Sequence, residues 1–400
     1  MKRIGIFLGA IFGLLIALIF IAGGRGRSGR EPRFVPGAPS SLGTFTSDHY
    51  DWLAAVPFKE GKLWAWTAGP GGTNYHTYLY DLERRVIVGE LLNAGTPELW
   101  CPANSRILVQ GPASPTMSLK LKLLDLFARF RRGGKPLRTE SFWILDLRDN
   151  SANRLGEIEQ FPGTGSRWAC SPNSRYGYTM PTTAGGSWFF LCDLENRTAN
   201  RVPAPGPPKG WWNDREILVE ATPNTFKLLD IVERKVRSLF NPDDISKFLE
   251  QLDVTNPPAG LDVFANWNGR DYDFYFGPKG EVDGLKGTGA FLLKAERTGP
   301  SLKLVYRDFK SQWGGHLNSD ATHYLYQGET GAPGKGGNGA VFLRDLTNDT
   351  TRTVVAPDNS GQYAIPRFYN DEVIYFRNRL LHRVALNGSN DAPLLPTKGK

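Results

Sequence analysis

A short phrase recurs along the chain, and it constrains the fold more than any other feature. Residues 100–109 read WCPANSRILV and residues 168–180 read WACSPNSRYGYTM. Both run Trp, Cys and Pro, then Asn-Ser-Arg, then an apolar and aromatic stretch. Looser copies follow at Asn213-Asp214-Arg215, Asn268-Gly269-Arg270, Asn318-Ser319-Asp320 and Asn370-Asp371-Glu372, and Glu60-Gly61-Lys62 takes the same place earlier. These are tight-turn residues, because Asn and Gly tolerate positive φ. Each is followed by a β-rich run, such as ILVQ at 107, ILVE at 217, YDFYF at 272 and VIYF at 373.

A second apolar run comes next, often closed by Asp-Leu, as in YLYDL to Leu82, FWILDL to Leu147, FFLCDL to Leu194 and VFLRDL to Leu346. A short further strand ends the unit. The pattern is strand, Asn turn, strand, loop, strand, Asp-Leu turn, strand. It occurs seven times, with a period near 52 residues. Four strands per repeat of this size describe a propeller blade, which buries its faces only against its neighbours. The expectation is an all-β fold: a seven-bladed β-propeller of four-stranded antiparallel blades over residues 50–397. The 45 Gly and 28 Pro fit a chain of many turns.

The WACSPNSRYGYT stretch, with the closing FLCDLENRTANRV, resembles the blade motif of TolB-type propellers. Asn173-Ser174 stands where that family usually has Asp-Gly, and one copy alone carries the Ser-Pro. The resemblance implies architecture and says little about activity.

Ahead of the repeat, Ile4–Ala22 is nineteen residues without a charge, against roughly 20 needed to span a bilayer. Residues 1–30 are therefore expected to form a signal anchor with a transmembrane helix, and 31–49 a linker. A cleaved signal peptide is the alternative. Basic residues flank the apolar segment on both sides, so the positive-inside rule does not orient it. The exported orientation is the expectation, with the body periplasmic or at the cell surface.

The net charge of +8 is unevenly placed. Residues 1–33 carry six basic side chains against Glu31, and residues 116–138 carry seven against Asp125. These two stretches exceed the whole net charge, so the body is mildly acidic, which argues against nucleic-acid binding.

Two segments interrupt the repeat. In 112–140, Leu119, Leu123, Leu126, Phe127 and Phe130 share one helical face. Lys120, Lys122, Arg129, Arg131 and Arg132 provide the charge. A basic amphipathic helix over 116–132 suits an anionic membrane surface, with Phe127 and Phe130 as apolar contacts. Packing on the propeller flank, or a protein partner, explains it equally. In 241–258, Asp243 or Asp244 can cap a short helix whose Ile245, Phe248, Leu249 and Leu252 pack over a blade edge.

Candidate chemistry is sparse. No G-x-S-x-G elbow is present. Trp100, Trp168, Trp211, Trp212, Trp267 and Trp313 fall at or near the ends of first strands, where they pack between blades or rim a channel mouth. With His316, five of them (Trp100, Trp168, Trp211, Trp267 and Trp313) are the candidates for gripping a ligand there. His316 and His323 fall on one sheet face, directly opposite or one diagonal apart. They would share a metal only with a third ligand, which the sequence does not supply. No cofactor and no catalytic residue is expected. The reading is a membrane-anchored, extracytoplasmic, non-enzymatic scaffold with a protein partner. The alternative is a carbohydrate-active, lyase-like or small-ligand propeller using the channel mouth.

Overall fold

The computed structural model describes residues 31–37, 54–58, 63–68, 76–81, 84, 86–92, 97–100, 106–111, 138–147, 149–160, 168–179, 188–252, 254, 256–268, 270–282, 285–286, 290–307, 316–318, 320–327, 340–357, 366–377 and 380–393. Sheet A holds β1 (Arg33–Pro36), β2 (Ala54–Phe58), β3 (Leu63–Ala68), β4 (His76–Asp81) and β5 (Val86–Leu92). Sheet B holds β6 (Pro97–Trp100), β7 (Arg106–Gly111), β8 (Arg138–Asp146) and β9 (Ser151–Gln160). Sheet C holds β10 (Trp168–Cys170), β11 (Tyr176–Thr179), β12 (Trp188–Asp193) and β13 (Thr198–Pro203). Sheet D holds β14 (Pro208–Trp211), β15 (Glu216–Thr222), β16 (Thr225–Asp230) and β17 (Val236–Phe240), followed by helix α1 (Pro242–Gln251). Sheet E holds β18 (Leu261–Trp267), β19 (Tyr272–Pro278), β22 (Phe291–Ala295) and β23 (Leu302–Arg307), with a ribbon of β20 (Glu281–Val282) and β21 (Leu285–Lys286) between its inner and outer halves. Sheet F holds β24 (His316–Leu317), β25 (His323–Gln327), β26 (Val341–Asp345) and β27 (Thr350–Val355). Sheet G holds β28 (Arg367–Tyr369), β29 (Glu372–Arg377), β30 (Leu380–Ala385) and β31 (Ala392–Pro393).

Apart from β1, every sheet is an antiparallel meander, and the inner strands β2, β6, β10, β14 and β18 of successive sheets A to E lie side by side. The core lies between sheets. Tyr178, Phe189 and Leu191 of sheet C pack with Trp211, Ile217 and Leu229 of sheet D. Leu325, Val341 and Leu343 of sheet F pack with Val373, Tyr375 and Val384 of sheet G. Alternate residues of a strand face opposite sides, so each sheet supplies apolar side chains to both neighbours.

The expectation of seven four-stranded blades is corrected. Six sheets are blades of four strands, and sheet A has five. The extra strand is β1, which comes from the stretch read as linker and pairs antiparallel with β5, Arg33 opposite Leu92. Phe34 packs against the cluster of Leu79, Leu91, Ile107 and Val109. Its ring occupies the space beside Gly89, where a Cβ would meet Phe34 Cε2 at 2.2 Å. A repeat counts hairpin units and does not register an added edge strand. The expected transmembrane helix has no counterpart among the described elements. Among the described residues no helix is long and apolar enough to cross a membrane, and residues 1–30 lie outside them.

Of the inserted segments, 112–137 lies outside the described residues, while Arg138 already opens β8. In the second, Asn241 rather than an aspartate caps the helix. Its side chain accepts from Asp244 N, and the Asp244 side chain accepts from Asn241 N, a reciprocal capping box. Ile245, Leu249 and Leu252 are buried against Phe226, Leu239 and Phe240.

Candidate functional site at the turn end of the axis

The repeated Asn and Asp residues build one end of the molecule. Asn213 Oδ1 accepts from the amides of Arg215 and Glu216, both at 2.8 Å. Asn268 Oδ1 accepts from Arg270 and Asp271 at 3.0 and 2.9 Å. Asn318 Oδ1 accepts from His323 N at 2.8 Å. These are side-chain caps on a tight turn. In the 168–179 stretch, Ser171 Oγ donates to Asn173 Oδ1 at 2.7 Å and accepts from Tyr176 N at 2.9 Å. Positive φ was the expected reason for Asn here; it applies to Asn370, at 49°, while in the Asn173 and Asn318 turns it falls on Ser174 and Ala321.

The Asp-Leu turns use the same device. Asp193, Asp230 and Asp345 each accept from the amides two and three residues on, at 2.8–3.2 Å. The residue four positions after the Asp then takes positive φ: Asn150, Arg197, Arg234 and Asp349, the first of these following Asp146. The Arg of Asn-x-Arg joins the two turns of a blade. Arg106 reaches Asp146 at 3.2 Å, Arg175 reaches Asp193 at 3.5 Å and Arg215 reaches Asp230 at 2.9 Å. Partial burial opposes ionisation of Asp230, but the amides of Glu233 and Val232 and the Arg215 guanidinium hold its carboxyl below the usual range.

Closer to the axis, four hydrogen bonds tie different sheets at this level, three of them between first strands or the turns that end them and one from the start of the second strand β19. Trp211 Nε1 donates to Ala169 O at 2.9 Å. Tyr272 Oη donates to Cys170 O at 3.0 Å, reaching from sheet E past sheet D to sheet C. Asn266 Nδ2 donates to Asn318 O at 3.2 Å. Arg367 Nη1 donates to His316 Nε2. Aromatic rings fill the side nearest sheets C to E. Tyr176 and Trp211 stack with centroids 6.3 Å apart, and the Arg297 guanidinium lies 4.8 Å from the Trp212 ring centre.

The opposite side is polar. His316 and Arg367 are half-buried. Burial and the Arg367 guanidinium push the imidazole down to about 3, and burial pushes Arg367 down to about 10. A guanidinium only donates, so Nε2 of the neutral ring is the acceptor and the ring proton is assigned to Nδ1.

The expected site residues are not brought to one level. Trp211, Trp267 and His316 stand within two residues of their Asn turns, while Trp100 and Trp168 stand four and five before theirs. The register nonetheless puts Trp100 level with Trp211, each in line with the residue before its Asp-Leu aspartate, Leu145 and Leu229. Trp168 lies in line with Phe190, three residues before Asp193, and at about 3.3 Å per residue sits deeper along the axis. Trp211 and Trp212 are buried, and Trp211 serves as interblade packing. Trp313 lies outside the described residues, as do Lys120, Lys122, Phe127, Arg129, Phe130, Arg131 and Arg132. His316 is opposite Leu325, which places it one diagonal from His323 on the same face. They bind different partners: His323 Nδ1 is 2.8 Å from Thr322 Oγ1, and Asp345 is 3.9 Å from its Nε2. Among the described residues no three His, Cys, Asp or Glu side chains are grouped to hold a metal. Cys170 and Cys192 are buried, and burial pushes the Cys192 thiol up. Sequence reasoning missed Tyr272 and Arg367. Alignment of first strands on their Asn turns finds Arg367 three residues before Asn370, the place of Cys170 before Asn173.

No family model matches the chain, and no curated protein does. Solved structures do. The chain is similar to an oligogalacturonate lyase from Vibrio parahaemolyticus, with a TM-score of 0.51, 12% identity and coverage of 90% of this chain and 99% of that one. It is similar to the β-propeller domain of the Trilobed protease from Pyrococcus furiosus, with a TM-score of 0.52, 12% identity and coverage of 87% and 97%. TolB from Acinetobacter baumannii matches at a TM-score of 0.38 and 15% identity, covering 79% of this chain and 75% of that one, a likeness that carries no argument by itself. At these identities the likeness shows the β-propeller fold alone.

Proposed function

We propose that this propeller works by recognition, holding a partner or ligand at the Asn-turn end of its axis. The observation that carries this reading is the set of four ties at one level, from Ala169 and Cys170 through Trp211, Asn266 and Tyr272 to His316 and Arg367. They tie sheets C to G to one another, and a pre-organised surface loses little freedom on binding. Loops and turns on such a rigid scaffold are where recognition residues concentrate. Kinship with TolB-type propellers, on the WACSPNSRYGYT stretch, belongs to the same proposal.

The test places a photo-crosslinking amino acid, in the native host, at the exposed turn-end positions Asp214 and Arg270. The exposed positions Pro223 and Glu281, at the other ends of sheets D and E, serve as the comparison. A discrete crosslinked species is expected from the first pair alone. Equal crosslinking from both pairs, or none from the first, overturns the reading. A small-ligand version is favoured by the polar His316–Arg367 side of this end.

A further inference from the structure

We propose that Arg367 and His316 form a binding corner for a carboxylate group. The inference rests on the recognition reading and names the chemistry of that site. Arg367 opens β28 and His316 opens β24, so the corner is formed where two neighbouring first strands meet.

Arg367 makes two contacts, to His316 Nε2 and to the carbonyl of its neighbour Pro366, and both use Nη1. Among the described residues, no carboxylate pairs with it, and its Nε and Nη2 donors have no protein partner. Four other arginines at this end are treated differently: Arg106, Arg175, Arg215 and Arg344 each pair with an aspartate. Arg297 has no carboxylate pair either, but it lies over the Trp212 ring and donates to the Tyr272 carbonyl. A half-buried guanidinium without a counter-ion is costly, because a desolvated charge is normally paired.

The imidazole sharpens the selectivity. With Nε2 occupied by Arg367, His316 offers only its Nδ1 proton. The corner therefore presents donors and no acceptor. A metal ion is disfavoured, since the ring lone pair is engaged and a fixed positive charge sits beside it. A carboxylate fits, because its two oxygens match the planar guanidinium fork. One positive charge suits a monoanion better than a phosphate dianion.

The test uses the full chain with labelled histidine rings, at constant ionic strength, titrated with sodium propionate, with propionamide and with inorganic phosphate. Propionate is expected to move one histidine ring signal in a saturable way, with half-saturation at about 1–10 mM for so small a ligand. The signal is assigned to His316 by its loss in His316→Gln. Propionamide leaves it in place. Arg367→Lys keeps the charge but loses the fork, and should weaken propionate binding at least about tenfold. Arg367→Met abolishes it, with circular dichroism showing that the sheets remain. No saturable shift by 50-fold above about 1 mM overturns the inference, as does an equal shift with propionamide. A shift with phosphate and none with propionate overturns the carboxylate class. If turn-end crosslinking survives while propionate fails to bind, the recognition reading stands and this inference falls.

Discussion

The Tyr272 hydroxyl donates to the carbonyl oxygen of Cys170 at 3.0 Å, across 102 residues of sequence and past an intervening sheet. Tyr272 also takes part in the cores on both sides of sheet D. It is a brace across the turn end of the axis, placed there by the Asn268 turn that precedes it.

Tyr272→Phe removes the hydroxyl and keeps the ring. It should cost about 1–2 kcal/mol, since a net hydrogen bond is lost and a carbonyl in a partly buried site loses a donor. Urea unfolding checks this, with the midpoint shifted and the slope unchanged. A loss below about 0.3 kcal/mol would mean that water replaces the hydroxyl without cost.

Gly89→Ala should detach β1 selectively. The new Cβ would lie 2.2 Å from the Phe34 ring and 2.6 Å from Val35 O, a backbone atom that cannot swing away. Amide exchange in residues 33–37 should speed up while the exchange of β15 and β19 stays unchanged. Adding Phe34→Ala relieves the ring contact but not the backbone one, so rescue should be partial.

Acid should loosen the blade turns through Asp230. Its folded-state pKa is depressed, so its contribution is fully present above the unfolded value of about 3.9 and is lost as pH falls through the folded value. Asp230→Asn should flatten the stability–pH curve below about pH 4 and leave its slope near neutrality unchanged. Arg215→Met, which removes an exposed partner, should lower stability only slightly at pH 7, and less at high salt. Chemical denaturation across pH 2–7 decides both.

At the opposite end of sheets D and E, buried Glu220 takes Lys209 at 2.6 Å and Lys279 at 3.0 Å. Lys209 is the more enclosed of the two, at 19% side-chain exposure against 42%. Lys209→Met should therefore destabilise more than Lys279→Met, and Glu220→Gln more than either, because it strands the enclosed Lys209 ammonium and leaves Lys279 only the more distant Asp262, at 3.9 Å. The ranking of three urea midpoints tests this.

Local chemistry was legible in the sequence and long-range chemistry was not. The Asn and Asp turns could be found because most of them close on amides two or three residues away, so a near-fixed spacing repeats, with Asn318 closing five residues on, on His323, as the exception. The apolar face of α1 could be found because Ile245, Phe248, Leu249 and Leu252 follow the helical period. The strand β1 could not. RFVP is four residues without alternation, in a Gly- and Pro-rich stretch, and it becomes a strand only through the open edge of β5 and the gap at Gly89. The same holds at the axis. Trp211 stood out by residue type, yet it is buried packing. Arg367 looks like any of the chain's arginines until its lack of a carboxylate partner is seen.

The meander order of every sheet has a kinetic consequence. Within a sheet, each strand pairs with the one just before it, apart from β1 and the short excursion through β20 and β21. Loop closure for these pairings is cheap, and contacts between neighbours in sequence favour early formation. The Tyr272–Cys170 brace needs three sheets already in place, so it belongs to the last stage of assembly. Tyr272→Phe is then expected to accelerate unfolding and leave the refolding rate nearly unchanged. Stopped-flow measurement of both limbs tests that order, and a slowed refolding limb would place the brace in the nucleus instead.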